Sequence, residues 1–523
     1  MLIAGLAIAL LLSVSPLAAQ TREAGEGLAS GVVFHDRDRN GIRDRFEFGI
    51  RNVAVSNGRD VVLTDWRGRY QLPVTDDTIV FVAKPGGWAT PLDERRIPRF
   101  YYIHKPAGSP QDLGFPGVAP TGPLPDRIDF PLYRQREPRA FSVILFGDTQ
   151  PYTLEQLDLL GHDVAEELIG TEASFGISLG DLVGDDLALL DPLNGMLSRI
   201  GIPWYNVIGN HDLNFRAHSD HHSDETFERI FGPPTYAFSY GRVHFIVLDN
   251  VVYGGASGEE RAPGSYAGGL SKRQLEFVEN YLANVPKDRL VVLAMHIPFD
   301  SPPYSVPEHP ELLELLEDRP HTLSLAAHMH FQENQFFGSH HHLIHATTSG
   351  SWWLGSEDEV GIPHATMRCG APNGYSIIRF DGQRYSIRFK AARRSADHQM
   401  NIFAPESITS EEAAETEVVV NVFAGSERTR VELRLGDAGW TPLRREARED
   451  PYYLQAIERD LVRVPRPPFF LPPAILSPHL WVGTLPENPP PGVHALEVRS
   501  TDMYGQTFRS HRFIRIERAA PDD

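Results

Sequence analysis

The sequence predicts an α/β core held between two all-β domains. Three observations carry this reading. Six apolar runs between residues 139 and 392 each end in a polar residue, and near-continuous apolar strands belong to a sheet covered on both faces. Amphipathic helical patterns lie between those runs. On either side, short β-type runs alternate with Gly, Pro and Asp, which is the pattern of all-β domains.

Length and composition bound the rest. A chain of 523 residues suggests three or four units of roughly 150 residues each. A hydrophobic content of 41% and a charged content of 23% are those of globular protein. The net charge of -20 argues against a nucleic-acid backbone as partner, which calls for a basic surface. Small phosphorylated substrates stay open, because local cations suffice to hold them. The single cysteine, Cys369, excludes an intramolecular disulfide, so the fold rests on core burial, with metals as a possible addition.

Residues 1–19 have the layout of a secretory signal peptide: an apolar segment from Leu2 to Val14, then Ala18 and Ala19 before a polar stretch. The expected location is therefore periplasmic or secreted. No later segment has the roughly 18 consecutive apolar residues of a membrane span.

The first β-domain is expected over residues 29–133, as a small sandwich with strands at 31–34, 53–55, 61–63 and 79–82. Within it, Asp36-Arg37-Asp38-Arg39-Asn40-Gly41-Ile42-Arg43-Asp44-Arg45-Phe46-Glu47 fits a calcium-loop pattern. Asp36, Asp38, Asn40, Asp44 and Glu47 offer hard oxygens, and Gly41 permits the sharp turn. Strand-like flanks distinguish it from a helix–loop–helix site. It resembles the calcium-binding B-type repeats of bacterial surface proteins, which implies a structural Ca²⁺. The alternative is a solvated turn held by its own ion pairs.

The central domain, residues 139–392, carries the chemistry. Strand 143–146 leads to Asp148 and Gln150, and 175–179 to Asp181. Strand 202–207 leads to Asn210 and His211, and 243–248 to Asp249. Strand 290–295 leads to His296, and 322–326 to His328 and His330. Active groups of α/β sheets gather beyond the carboxyl ends of the strands, and packing alone does not place ligand-type residues at every exit. Two helices are predicted between strands. Thr153 and Gln156 form a capping box ahead of the stripe Leu157, Leu160, Val164 and Leu168. Ser271 and Gln274 repeat it ahead of Leu275, Val278 and Leu282.

Gly147-Asp148-Thr149-Gln150, Gly180-Asp181, Gly209-Asn210-His211-Asp212, His296 and His328-Met329-His330 together resemble the calcineurin-like metallophosphoesterase family in order and spacing. The resemblance implies a four-layer α/β/β/α sandwich around two divalent metal ions, and hydrolysis of phosphate mono- or diesters through a metal-bridging hydroxide. Asp148, Gln150, Asp181 and His330 would hold one metal; Asp181, Asn210, His296 and His328 the other, with Asp181 bridging. A carboxylate bridge with neutral imidazole and amide ligands suits two cations a few ångströms apart, and bound water is acidified there. His211 is placed to protonate the leaving alkoxide, with Asp212 to orient its ring and Asp185 in support. Many members carry His where this chain has Gln150. An amide oxygen is a weaker ligand than imidazole, so Mn²⁺, Fe, Zn²⁺ and Mg²⁺ all stay open. Ala327 stands where Gly is usual.

Other features compete. Gly176-Ile177-Ser178-Leu179-Gly180 fits the nucleophile pattern of serine hydrolases, but Ser178 lies inside an apolar strand rather than at an exit turn. His218, His221, His222, His340, His341, His342 and His345 could line the cleft or bind adventitious metal, but read better as surface-loop histidines, the first three excepted because they closely follow Asn210. Trp352 and Trp353 read as buried packing. After Lys390 the polar stretch 406–412 reads as a linker, and a β-domain follows over residues 415–518. Its His479-Leu480-Trp481, Gly492-Val493-His494 and Asp502-Met503-Tyr504-Gly505 resemble the C-terminal domain of secreted phosphoesterases. The competing function is a binding protein: a catalytically degenerate core displayed between adhesive β-domains.

Overall fold

A computed structural model describes residues 27–256, 264–464 and 469–518. The signal-like segment 1–19 lies outside the described residues.

The first β-domain is a sandwich of two four-stranded sheets. Strand Gly27–His35 pairs with Arg69–Val74 and Phe130–Arg134, while Thr78–Val82 lies between Ala54–Ser56 and Tyr101–His104. Val33, Val55, Leu72, Val80 and Phe130 fill the space between the sheets. Alternation sends the other face of the second sheet outward, where Phe81 and Phe100 join the core of the central domain. Phe81 meets Phe277 edge-on at 5.7 Å between ring centroids, and Phe100 meets Tyr236 at 5.2 Å.

The central domain is built on two sheets packed face to face. The five-stranded sheet runs Trp204–Asn206, Phe175–Ser178, Ala140–Phe146, Gly374–Asp381, Arg384–Ala391; its first three strands are parallel. In the six-stranded sheet, Val243–Val247, Leu290–Ala294, Thr322–Ala326 and His340–Ile344 are parallel, and the edges Tyr236–Tyr240 and Glu333–Phe337 are antiparallel. Aromatic side chains interlock between them: Phe175 meets Phe238 at 5.5 Å and Phe245 at 5.4 Å. Helices cover the outer faces. Lys272–Leu282 begins at the full Ser271/Gln274 capping box and buries Phe277, Val278, Tyr281 and Leu282. Leu154–Leu160 is capped by Thr153, but Gln156 reaches back to the Tyr152 amide instead of closing the box. It continues through a π-helical turn, Gly161–Ala165, that keeps Leu160, Val164 and Leu168 buried.

The last β-domain is a second sandwich, of four and five strands, around Val418, Val420, Leu433, Trp481 and Leu496. The sequence differs from its structure in two places. Ser407–Thr409, read as linker, pairs in parallel with Arg515–Glu517, which satisfies a backbone that polar composition alone left to solvent. A helix, Pro451–Val462, interrupts the all-β pattern. Asp450 accepts the Tyr453 amide as its N-cap, and Pro451 supplies a preset first turn.

Candidate metal centre

The predicted ligands meet at the exits of the two sheets. Backbone geometry there is unusual. Asp148, Gln150, Asp181, His328 and His330 all have positive φ, between 27° and 68°, a region costing a non-glycine residue of order 1–3 kcal/mol. Two glycines are required by close approach. A Cβ on Gly209 would meet the Asp181 amide nitrogen at 2.0 Å, and one on Gly180 would meet His296 Nδ1 at 2.5 Å.

The ring nitrogens are assigned by their partners. His296 Nδ1 donates to the Leu179 carbonyl at 2.8 Å, and His330 Nδ1 to that of Gly350 at 2.6 Å. A carbonyl only accepts, so in the neutral ring each Nε2 carries the lone pair that faces the centre. His296 Nε2 lies 3.0 Å from Asn210 Oδ1, 3.1 Å from His328 Nδ1 and 3.2 Å from Asp181 Oδ2. His330 Nε2 lies 3.2 Å from Asp148 Oδ2. Gln150 Oε1 is buried without a partner, its amide nitrogen donating to the Tyr152 hydroxyl at 3.1 Å. Electron-pair donors crowded together with few protons between them repel one another, and a cation relieves that repulsion. Imidazole, carboxylate and amide in this mixture suit divalent transition metals. The residues present therefore fit the metals the sequence implies. Asp181, His296 and His328 bring ligand atoms within 4.8 Å of one another.

His211 stands beside this cluster. Its backbone N–H donates to Asp181 Oδ1 at 2.8 Å, and Nδ1 donates to Asp185 Oδ1 at 2.6 Å. Burial opposes the charged ring, but Asp181 and Asp185 outweigh it and raise the imidazole to about 9. Asp212 does not orient that ring, contrary to the sequence expectation. Its carboxylate is fully buried and accepts the amides of Gly209 at 2.8 Å, Leu182 at 3.1 Å and Val183 at 3.2 Å. Asp212 is thus a clamp that joins the 180–183 and 209–212 loops, and Asp185 is the partner of His211.

Asp249 stays outside the cluster, accepting the Val251 amide. Its neighbour Asn250 supports the site: Oδ1 accepts the amides of His296 and Ile297, and Nδ2 donates to the Ile297 carbonyl at 2.6 Å. Only the position of Asn250, one residue past a strand-exit carboxylate, hinted at this. Trp353 is buried as expected and donates to the Thr149 carbonyl. Trp352 instead stacks on His330 at 4.0 Å. Tyr266 and Tyr304 stand edge-on to His328 at 5.8 and 4.5 Å.

Several sequence features resolve into packing. Ser178 accepts the Trp204 indole N–H at 2.8 Å, and Gly176 leaves room for the Trp204 ring, which a Cβ would meet at 2.4 Å. The Gly-x-Ser pattern serves that tryptophan. His340, His341 and His342 form a buried strand, and His345 follows it, also buried; none is a surface-loop residue. Their hydroxyl and amide partners make burial affordable: Ser324 Oγ lies 2.7 Å from His340 and 2.6 Å from His342. His221 pairs with Asp77 and His222 with Glu225, in a group of carboxylates around Lys105. In the first β-domain, Asp36, Asp38 and Glu47 come together. Asp36 accepts the amides of Arg39 and Gly41, and Glu47 those of Arg37 and Asp44. Asn40 and Asp44 bond to each other at 3.3 Å.

Two face-to-face mixed sheets with a carboxylate–imidazole–amide cluster at their exits define the metallophosphoesterase fold. The chain belongs to the calcineurin-like phosphoesterase family. The model of the calcineurin-like phosphoesterase itself matches residues 141–332, that of its N-terminal part residues 37–118, and that of its C-terminal part residues 342–508. No curated protein matches the sequence. Among solved structures, it is similar to the purple acid phosphatase PPD1 of yellow lupin seeds, at 10% identity and a TM-score of 0.34, over 70% of this chain and 67% of that one. It is also similar to GAP50, the anchor in the inner membrane complex of Plasmodium, at 14% identity and a TM-score of 0.32, over 49% of this chain and 85% of that one. No helix of the described residues is long and apolar enough to cross a membrane.

Proposed function

We propose that this protein is an exported, dinuclear-metal phosphoesterase that hydrolyses small phosphate mono- or diesters. One observation carries the reading: lone pairs of Asp148, Gln150, Asp181, Asn210, His296, His328 and His330 converge beside an imidazole already fixed by a carboxylate. Divalent metals held there would acidify a water and neutralise phosphoryl charge. The protein's own part is orientation and proton transfer. Leu179 and Gly350 fix two ring tautomers, Asp212 clamps two loops, and Asp185 holds His211 so that Nε2 can pass a proton to the leaving oxygen. The export part of the proposal rests on residues 1–19.

Elemental analysis of the purified protein beside Asp181→Asn tests this, together with turnover of a chromogenic phosphodiester after Mn²⁺ reconstitution. The expected result is transition metal and turnover, both lost in the variant. Absence of transition metal after reconstitution would leave the core as a degenerate ligand-binding unit. Calcium retained by Asp181→Asn but lost from Asp36→Asn/Glu47→Gln would assign it to the 36–47 loop.

A further inference from the structure

One face of the first β-domain has no role in the site. Ile42, Phe46, Phe48 and Trp66 are 67%, 70%, 71% and 70% exposed. Large apolar side chains gathered this openly mark an interaction surface. They come from two adjoining segments: Gly49 packs on the Arg67 carbonyl, which sets Phe48 next to the Trp66–Arg67 turn.

The charge around these rings identifies the partner. Residues 36–51 and 65–69 carry seven arginines against five carboxylates, in a chain of net charge -20. Of the five carboxylates, Asp36 and Glu47 are buried, and exposed Asp38 and Asp44 bond Asn40. Asp36, Glu47 and Asp65 accept backbone amides of their own loops. The guanidiniums turn outward: that of Arg67 lies 4.2 Å from the centre of the Trp66 ring and that of Arg45 lies 5.8 Å from the Phe46 ring. A groove of about 630 Å³ beside them is lined by Arg43, Leu63, Arg69 and Arg127. Exposed aromatic rings ringed by arginine match a bilayer's interface, where rings sit at headgroup level and cations meet anionic phosphates.

We infer that this face docks on anionic phospholipid bilayers, with Phe46, Phe48 and Trp66 entering the interface and Arg43, Arg45, Arg67 and Arg69 meeting lipid phosphates. The docking is independent of the metal centre.

The test is flotation of the full chain with vesicles of phosphatidylcholine alone and of phosphatidylcholine mixed with phosphatidylglycerol, at low and high salt. The expected result is binding to the anionic vesicles only, weakened by salt. Phe48→Ser/Trp66→Ser should abolish it, and Arg45→Glu/Arg67→Glu should weaken partitioning about tenfold or more, with phosphoesterase turnover unchanged in both. Absence of flotation, equal flotation with neutral lipid, or undiminished binding by either variant overturns the inference. So does a dimer in solution that Phe48→Ser/Trp66→Ser dissociates, which would give the face to a second copy of this chain.

Discussion

Mild acid should destabilise this protein steeply, and the buried histidines set the size of the effect. His340, His341, His342, His345 and His479 are at most 5% exposed. Each is bonded as a neutral ring: His342 Nε2 accepts the Phe299 amide, and His479 Nδ1 lies 2.7 Å from Asn421 Oδ1. Burial pushes His340 down to about 4, His341, His345 and His479 to about 3, and His342 well below its ordinary value. In the unfolded chain each titrates near 6.5. Between those limits the unfolded state binds protons that the native state refuses, so stability falls as pH falls. The slope is about 1.4 kcal/mol per pH unit for each ring, or about 7 for five. Buried Glu228 and half-buried Asp224 and Asp249 oppose this. Burial and neighbouring carboxylates raise Glu228 and Asp249 to about 7 and Asp224 well above its ordinary value. Their native protons are already lost by the unfolded chain above about pH 4.5, so they add stability toward acid, about 4 kcal/mol per unit together. These eight groups give a net loss of about 3 kcal/mol per pH unit between pH 6.5 and 4.5. His244 and His328, pushed down by burial to about 4 and about 3, add to it, and Asp212, raised by burial to about 7, offsets one of them. The total of about 3–4 kcal/mol per unit is a large share of a typical stability of about 5–15 kcal/mol. Urea unfolding followed by tryptophan fluorescence from pH 7 to 5, in chelator so that metal binding adds no protons, measures it. Glu228→Gln removes one opposing group and should steepen the loss by about 1.4 kcal/mol per unit. Stability that is flat or rises on acidification would refute the reasoning.

Two further predictions concern the support of the site. Asp185→Ala should lower kcat about 10- to 100-fold with metal content unchanged, because the His211 ring loses the acceptor 2.6 Å away. His211→Ala should cost about 10²–10⁴-fold, and the double variant should lose no more than His211→Ala alone, since Asp185 acts through that ring. An additive double loss in steady-state kinetics would separate the two residues. Asn250→Ala strips acceptors from the buried amides of His296 and Ile297, which should cost about 1–3 kcal/mol in stability and weaken metal affinity about 10- to 100-fold. Metal titration and thermal unfolding read both, and unchanged affinity would show that His296 holds its place without Asn250.

The residues whose donor atoms converge were legible in the sequence because each follows an apolar strand, and a parallel sheet brings its strand exits to one edge whatever the loops do. Their supports were not, because support depends on which loops touch. Asp212 and Asp185 are both carboxylates near His211 in sequence or loop order. Only the fold shows that Asp212 spends its oxygens on three amides while Asp185 reaches the ring. The His340–Ile344 strand misled for a related reason. Three consecutive imidazoles read as polar, and their burial rests on Ser324, Thr322, Asn334 and Tyr385, which arrive from other strands. The helix Pro451–Val462 has a signal in Asp450-Pro451, a capping pair that an all-β reading of the domain passes over.

Strain explains why these supports matter as much as the ligands. Five candidate ligand residues in left-handed backbone would cost of order 5–15 kcal/mol together, comparable to the stability of a whole domain. Such a conformation survives only where the surroundings leave no alternative. Here the Gly209 and Gly180 contacts admit no side chain, Asp212 ties two ligand-bearing loops, and the Asp148 carboxylate accepts the His328 amide at 3.1 Å. These restraints are hydrogen bonds from backbone amides to side-chain carboxylates and steric contacts, all from the chain itself. The donors are therefore held in their converging arrangement by the polypeptide, and a metal arriving there has little reorganisation left to impose.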